Sequence, residues 1–246
     1  KLLPDPAARL DRNQVYSPRT DPSDSSEVPD VRSGISLCEE PIKIGMIDTS
    51  VATEHPAFRA ARIVEQRFLS LEGGRGELAP VTPHGTAVAG QLVGRHGSEG
   101  ESRLPGATLF NASVFYSRTD DLSGATLVHL LQCLDWLATQ EPSVINISLT
   151  GADNRLLAKA VMRLTNQGTL LVAAVGIEGP AASPLFPAAY SEVIGVTATS
   201  RTGDLYRWAH RGEQVMFVHH GVAFSVCDPD GGICTESGTS LAALCV

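Results

Sequence analysis

The sequence predicts an α/β fold: a three-layer sandwich with a mostly parallel central sheet. Two observations predict it. Short apolar runs suited to buried strands alternate with longer segments in which apolar residues recur every three or four positions. The residues with most chemical potential stand where those runs end, as expected of a sheet whose strands deliver functional groups at their carboxyl ends.

The elements follow in order. The apolar runs Ile42 to Ile47, Thr108 to Phe115, Ser143 to Leu149, Thr169 to Val175 and Val193 to Ala198 read as strands. Leu127, Leu130, Leu131, Leu134, Leu137 and Ala138 form one apolar helical face, with Ser123 as the expected N-cap. Leu156, Leu157, Ala160, Val161 and Leu164 repeat the pattern, and Gly168 supplies the stop. Strand, helix, strand, helix, strand implies a parallel sheet covered on both faces. Residues 1–41 differ: Ser17 to Asp30 is crowded with Pro, Ser, Asp and Glu. That stretch is expected to be an extended or mobile lead-in to one domain over residues 42–246.

Bulk properties exclude several functions. The chain has 246 residues, 43% hydrophobic and 19% charged, enough to bury a core without disulfides or metals. A net charge of −8 and the absence of a basic run argue against nucleic acid. No apolar stretch reaches the roughly 18 residues of a membrane span. Cys227 and Cys234 flank a turn-forming Asp-Pro-Asp-Gly-Gly-Ile, which leaves open a disulfide or two free thiols. A bridge would favour a secreted or periplasmic protein. No cysteine or histidine spacing suits zinc.

Three residues carry the chemistry. Asp48 closes the first strand run. His84 heads His-Gly-Thr-Ala-Val-Ala-Gly, a small-residue segment that turns into a helix. Ser240 lies in Ser-Gly-Thr-Ser-Leu-Ala-Ala, where a helix amino end could support an oxyanion. Singly, each reads as readily as a cap or turn residue. Together, the order Asp, His, Ser is one of the linear arrangements of the Ser-His-Asp mechanism.

These motifs resemble the subtilisin-like serine proteases. The matching elements are Asp48-Thr-Ser with His55-Pro56, His84-Gly-Thr, Val144-Ile-Asn-Ile-Ser-Leu149, Val172-Ala-Ala-Val-Gly176, Phe186-Pro-Ala-Ala-Tyr190 and Gly238-Thr-Ser-Leu-Ala242. The resemblance covers about residues 42–246 and implies a serine endopeptidase acting on a peptide or protein substrate. It implies Ser240 as nucleophile, His84 as general base and Asp48 as its support. It further implies substrate-backbone pairing at Ser148, Leu149 and Thr150, and a specificity-pocket wall at Ala174, Val175 and Gly176. A cis bond is expected at Phe186-Pro187.

The sequence departs from the family at Ile177, where an Asn donor to the oxyanion is expected. Loss of such a donor costs about 10²–10³ in turnover, a magnitude that belongs to a relative in this same family. Ile177 therefore implies slow turnover by the Ser240 backbone donor, or alternatively a pseudoprotease that binds peptide or protein without cutting it. An esterase is disfavoured because the Gly-x-Ser-x-Gly elbow is absent.

Smaller departures are Ser50 for Gly, Ala87 for His, Leu244 for Pro, and Val218-His219-His220-Gly221 for a Pro-Gly pair. Val246 follows Ser240 by six residues, so the helix that Ser240 heads must rely on tertiary packing. No cofactor is expected. Glu99 and Glu101 in the 94–103 loop suggest at most weak calcium binding, and adjacent His219 and His220 would point oppositely on a strand. Residues 1–41 leave room for a propeptide or inhibitory segment.

Overall fold

A computed structural model describes residues 15–18, 40–68, 83–95, 103–119 and 122–246. In chain order the strands are β1 (Val15–Pro18), β2 (Lys43–Asp48), β3 (Arg62–Arg67), β4 (Thr108–Ser113), β5 (Tyr116–Thr119), β6 (Leu122–Thr126), β7 (Val144–Ile147), β8 (Leu149–Thr150), β9 (Leu170–Ala174), β10 (Ile194–Thr199), β11 (Phe217–His220), β12 (Phe224–Cys227) and β13 (Ile233–Glu236). The helices are α1 (Pro83–Val93), α2 (Leu127–Gln140), α3 (Arg155–Asn166) and α4 (Thr239–Ala243), with a short 3₁₀ turn over Pro56–Phe58.

Seven strands form the central sheet in the order β11-β10-β9-β7-β2-β4-β3, every pair parallel. From β2 the chain passes to edge strand β3 and returns to β4, which lies between them. It then crosses to β7, β9, β10 and β11 on the other. The reversal opens a crevice at the carboxyl ends of β2 and β7, where parallel sheets place their sites.

Side-chain alternation along β2 separates the two helical layers. Ile47 packs with Leu134, Leu137, Leu157 and Leu164 of α2 and α3, whereas Ile44 and Met46 pack with Ala87, Val88 and Leu92 of α1. Asp48 shares the parity of Met46, so its carboxylate faces α1. On the same face Val196 and Ala198 of β10 meet Ala242 and Ala243 of α4. All five α4 residues are buried, which supplies the tertiary support that so short a helix needs.

The five expected strands and both amphipathic helices are present. The N-cap of α2 is a correction: Thr126 Oγ1, not Ser123, accepts from His129 N at 3.4 Å. Ser123 belongs instead to β6, because β6 runs directly into α2 without a loop. Gly168 stops α3 with φ +93°, a conformation glycine adopts without strain. The Phe186-Pro187 bond is cis. Cys227 and Cys234 are unlinked. Their register explains it, since Cys227 stands opposite Ile233 while Cys234 stands opposite Val226.

Strands β1 and β3 carry no continuous apolar run. Val15–Pro18, within the expected lead-in, forms β1 and pairs antiparallel with both β6 and β8. Edge strand β3 alternates polar and apolar residues too weakly to read as a strand.

Leu137 is fully buried and lies over Gly45, where an added Cβ would come within 3.2 Å of it. Leu137→Ala removes that cover and leaves a cavity between α2 and the sheet. We expect it to cost about 2–5 kcal/mol, read as a lower denaturation midpoint at unchanged slope.

Candidate active site at the carboxyl edge of the sheet

Asp48 ends β2 and is fully buried. Its Oδ1 accepts hydrogen bonds from Thr49 N at 2.6 Å and from His84 Nδ1 at 2.7 Å. The second bond requires the first turn of α1 to sit directly on the loop after β2. Gly85 permits this: a Cβ there would lie 2.4 Å from the Thr49 carbonyl oxygen. Gly85 N also donates to Thr49 Oγ1 at 2.7 Å, and Ala52 N donates to Thr86 Oγ1 at 2.9 Å. Each residue of the His-Gly-Thr motif therefore has a role in seating the helix.

The surrounding polar groups hold the loop itself. Asn111 Nδ2 donates to Thr49 O and to Glu65 Oε2, both at 3.0 Å, and Val51 N donates to the same carboxylate oxygen at 2.8 Å. Ser50, one of the family departures, is buried and shares a 2.7 Å hydrogen bond with Ser113. Ala87, another, is fully buried in the α1 packing.

Ser240 is buried in the first turn of α4. Its neighbour Leu241 packs with Ala87 and Val88 of α1, and Thr239 Oγ1 accepts from Gly176 N at 3.3 Å. Gly221 lets α4 approach: a Cβ there would meet the Gly238 oxygen at 2.7 Å and Ala242 Cβ at 3.0 Å. The structure thus joins Asp48 to His84 and packs the Ser240 helix against the His84 helix. No hydrogen bond links Ser240 to His84, whose Nε2 has no such partner among the described residues.

Electrostatics favour the protonated form of His84. Burial alone lowers its pKa, but the Asp48 charge, its hydrogen bond and the charge of Glu236 together raise it above the usual histidine value. Glu236 ends β13, four residues before Ser240. Its own pKa is raised, chiefly by burial and further by Asp48 and Asp228, while His84 opposes the shift. Sequence reading missed Glu236 because nothing in Ile-Cys-Thr-Glu marks it; only the packing of β13's hairpin partner, β12, on α1 brings its charge to His84.

The expected pairing strand is occupied by the chain itself. Ser17 stands opposite Thr150 and Pro18 opposite Leu149. Ser148 is buried and its Oγ accepts from Asn146 Nδ2 at 2.8 Å. Ala174, Val175 and Gly176 follow at the end of β9, with Gly176 at φ +103°. Ile177 is partly buried against the apolar cluster that contains Val172, Val196, Tyr206 and Ala242.

The described residues hold no cluster of three metal-ligating side chains, and Glu99 and Glu101 lie outside them. His219 Nδ1 lies 3.3 Å from the His220 oxygen, while the His220 ring stacks on Phe224 at 4.7 Å.

Residues 39–246 match the model of the subtilase family, Peptidase_S8. The chain belongs to the subtilase family. It is 30% identical over 209 residues to the minor extracellular protease Epr of Bacillus subtilis, covering 82% of this chain and 30% of that protein. It is 27% identical to the major intracellular serine protease of Bacillus subtilis, covering 82% of this chain and 65% of that protein. The chain thus spans from under a third to about two thirds of these relatives. Among solved structures, a serine-to-alanine mutant of the protease domain of PatA superposes with a TM-score of 0.73 at 24% identity, covering 86% of this chain and 78% of that one. The prenylagaramide maturation protease PagA superposes at 0.69, also at 24% identity, covering 84% and 72%. At that identity these two establish the mostly parallel subtilase fold. No helix among the described residues is long and apolar enough to cross a membrane.

The charge of Glu236 raises the His84 pKa, so removing it must lower that pKa. Glu236→Gln should move the His84 imidazole titration, followed by NMR, toward lower pH, and Asp48→Asn should move it further. An unchanged midpoint in Glu236→Gln would contradict the coupling.

Proposed function

We propose that this subtilase is a serine endopeptidase using Asp48, His84 and Ser240. The observation that supports it most is the 2.7 Å Asp48–His84 hydrogen bond, made by two fully or nearly buried groups at the crevice beside Ser240. In this reading, Ser240 Oγ attacks the scissile carbonyl while His84 Nε2 removes its proton. The tetrahedral intermediate collapses as the same imidazolium returns the proton to the leaving amine, and water repeats the cycle on the acyl-enzyme. Asp48 fixes the tautomer, holding the Nδ1 proton so that Nε2 faces the reaction. The absence of a hydrogen bond from His84 Nε2 to Ser240 does not count against this, since such bonds often tighten only with substrate bound.

Oxyanion stabilisation then rests on the Ser240 backbone N–H, because Ile177 offers no donor. A specific observation favours the second reading, a pseudoprotease. Ile177, partly buried, packs against the apolar cluster built by β9, β10 and α4. Covering part of that side chain stabilises the fold where a donor would serve turnover.

Strand β1 supports a further element, an inhibitory segment. Its antiparallel pairing to both β6 and β8 occupies the backbone hydrogen-bonding edges that an extended substrate would use. We place the protein outside the cytoplasm, in keeping with the extracellular Epr. Expression with a C-terminal tag followed by cell fractionation checks this.

Casein hydrolysis by the wild-type chain, absent in Ser240→Ala, is the expected result. Ile177→Asn should raise turnover at least tenfold. Equal, null activity in all three chains, each folded, would favour the pseudoprotease.

A further inference from the structure

Beyond the three residues of the reaction, we propose that Glu65 of edge strand β3 is a positioning residue for the Asp48–His84 pair, acting through Asn111. The proposal rests on the peptidase reading of the crevice and adds to it a residue that touches neither substrate nor the reacting atoms.

Strand register brings Glu65 under the site. Glu65 stands level with Asn111 in β4, which stands level with Met46 in β2, and Met46 faces α1. All three side chains therefore lie on the α1 face of the sheet. Two residues earlier along β3 and β4, Ile63 and Leu109 occupy that face as part of the apolar packing beneath α1. Glu65 and Asn111 interrupt this packing just before their strands end at Arg67 and Ser113. A carboxylate and an amide in such a place cost solvation, and a local exception of this kind points to function instead of packing.

The hydrogen bonds show what the pair does. Asn111 Nδ2 carries two protons, and it donates to Glu65 Oε2 and to Thr49 O, both at 3.0 Å. Val51 N donates to the same Glu65 oxygen at 2.8 Å, while Arg67 Nε donates to Oε1 at 3.1 Å. Both carboxylate oxygens are occupied, and the side chain is only 13% exposed. The carboxylate thus fixes the loop at Val51 directly and at Thr49 through the amide. Thr49 is the residue on which α1 rests. Its carbonyl oxygen would lie 2.4 Å from a Cβ on Gly85, its Oγ1 accepts from Gly85 N at 2.7 Å, and its own N donates to Asp48 Oδ1. The position of that carbonyl sets where the first turn of α1 sits, and with it the reach of His84 Nδ1 to Asp48. A displaced loop lengthens the 2.7 Å bond between them without unfolding the sheet.

Glu65→Ala leaves the Val51 amide and one Asn111 proton without their acceptor, whereas Glu65→Gln retains a carbonyl oxygen for both donors. The test takes two readouts on the full chain: apparent kcat and KM on fluorescein-labelled casein, and the far-downfield proton NMR resonance of the hydrogen that His84 Nδ1 shares with Asp48. Glu65→Ala should lower kcat about tenfold with KM changed less than about twofold, and should move the resonance upfield as the bond lengthens. Glu65→Gln should keep the wild-type resonance and a kcat within about threefold of wild type. Asn111→Ala should match Glu65→Ala, and the double variant should be no worse than either, because the two act as one unit. Glu65→Asp, too short to hold both donors, should shift the resonance in the same direction and replaces Glu65→Ala if that chain does not fold. The resonance needs no turnover, so a wild-type chain that cleaves nothing counts against the peptidase reading alone while NMR still decides the role of Glu65. An unmoved resonance in folded Glu65→Ala, or a loss in Glu65→Gln equal to that in Glu65→Ala, would overturn it.

Discussion

The close seating of α1 on the loop that follows β2 is the constraint on which the site depends. A helix normally stands off a sheet by the thickness of its side chains. Here the backbone of Gly85 lies against the carbonyl of Thr49, and any side chain at that position would collide with it. Contact at this range lets the Gly85 amide reach Thr49 Oγ1 and lets the His84 ring reach Asp48. The imidazole is thereby fixed by the fold instead of by flexible side-chain choice, the form of preorganisation that acid–base chemistry requires. Residues further out maintain the loop that receives it, through Asn111, Glu65 and the Ser50–Ser113 pair.

The same crevice balances stability against reactivity at several points. His84 is buried, which disfavours its charge, yet Asp48 and Glu236 restore it. Ile177 supports the packing around α4 at the position where the proposed peptidase would need a polar donor to an oxyanion. Ser240 heads a helix too short to stand alone, and it is retained because every residue of that helix is buried. Small residues make this possible: Gly221, Ala198 and Ala242 allow the helix to approach the sheet closely.

Much of this was legible in the sequence, for physical reasons that also explain what was not. Buried parallel strands write continuous apolar runs, so β2, β4, β7, β9 and β10 could be read directly. Amphipathic helices write a three-to-four spacing, so α2 and α3 could be read too. The Asp48, His84 and Ser240 motifs combine small residues with polar ones because the backbone must approach closely at each. Three features left little trace. Edge strand β3 mixes polar and apolar residues, β1 lies in a stretch crowded with polar residues and proline, and α2 follows β6 without a loop, which moved its cap from Ser123 to Thr126. Glu236 is an ordinary acidic residue in sequence, and only the position of His84 near it gives it significance.

The most direct measurement of the central claim is labelling with a serine-directed phosphonate, followed by peptide mass mapping. A single adduct at Ser240 in the wild-type chain, lost in His84→Ala while the protein stays folded, is the expected result. A folded wild-type chain that takes up no label, or takes it elsewhere, would contradict the assignment of Asp48, His84 and Ser240 as one catalytic unit.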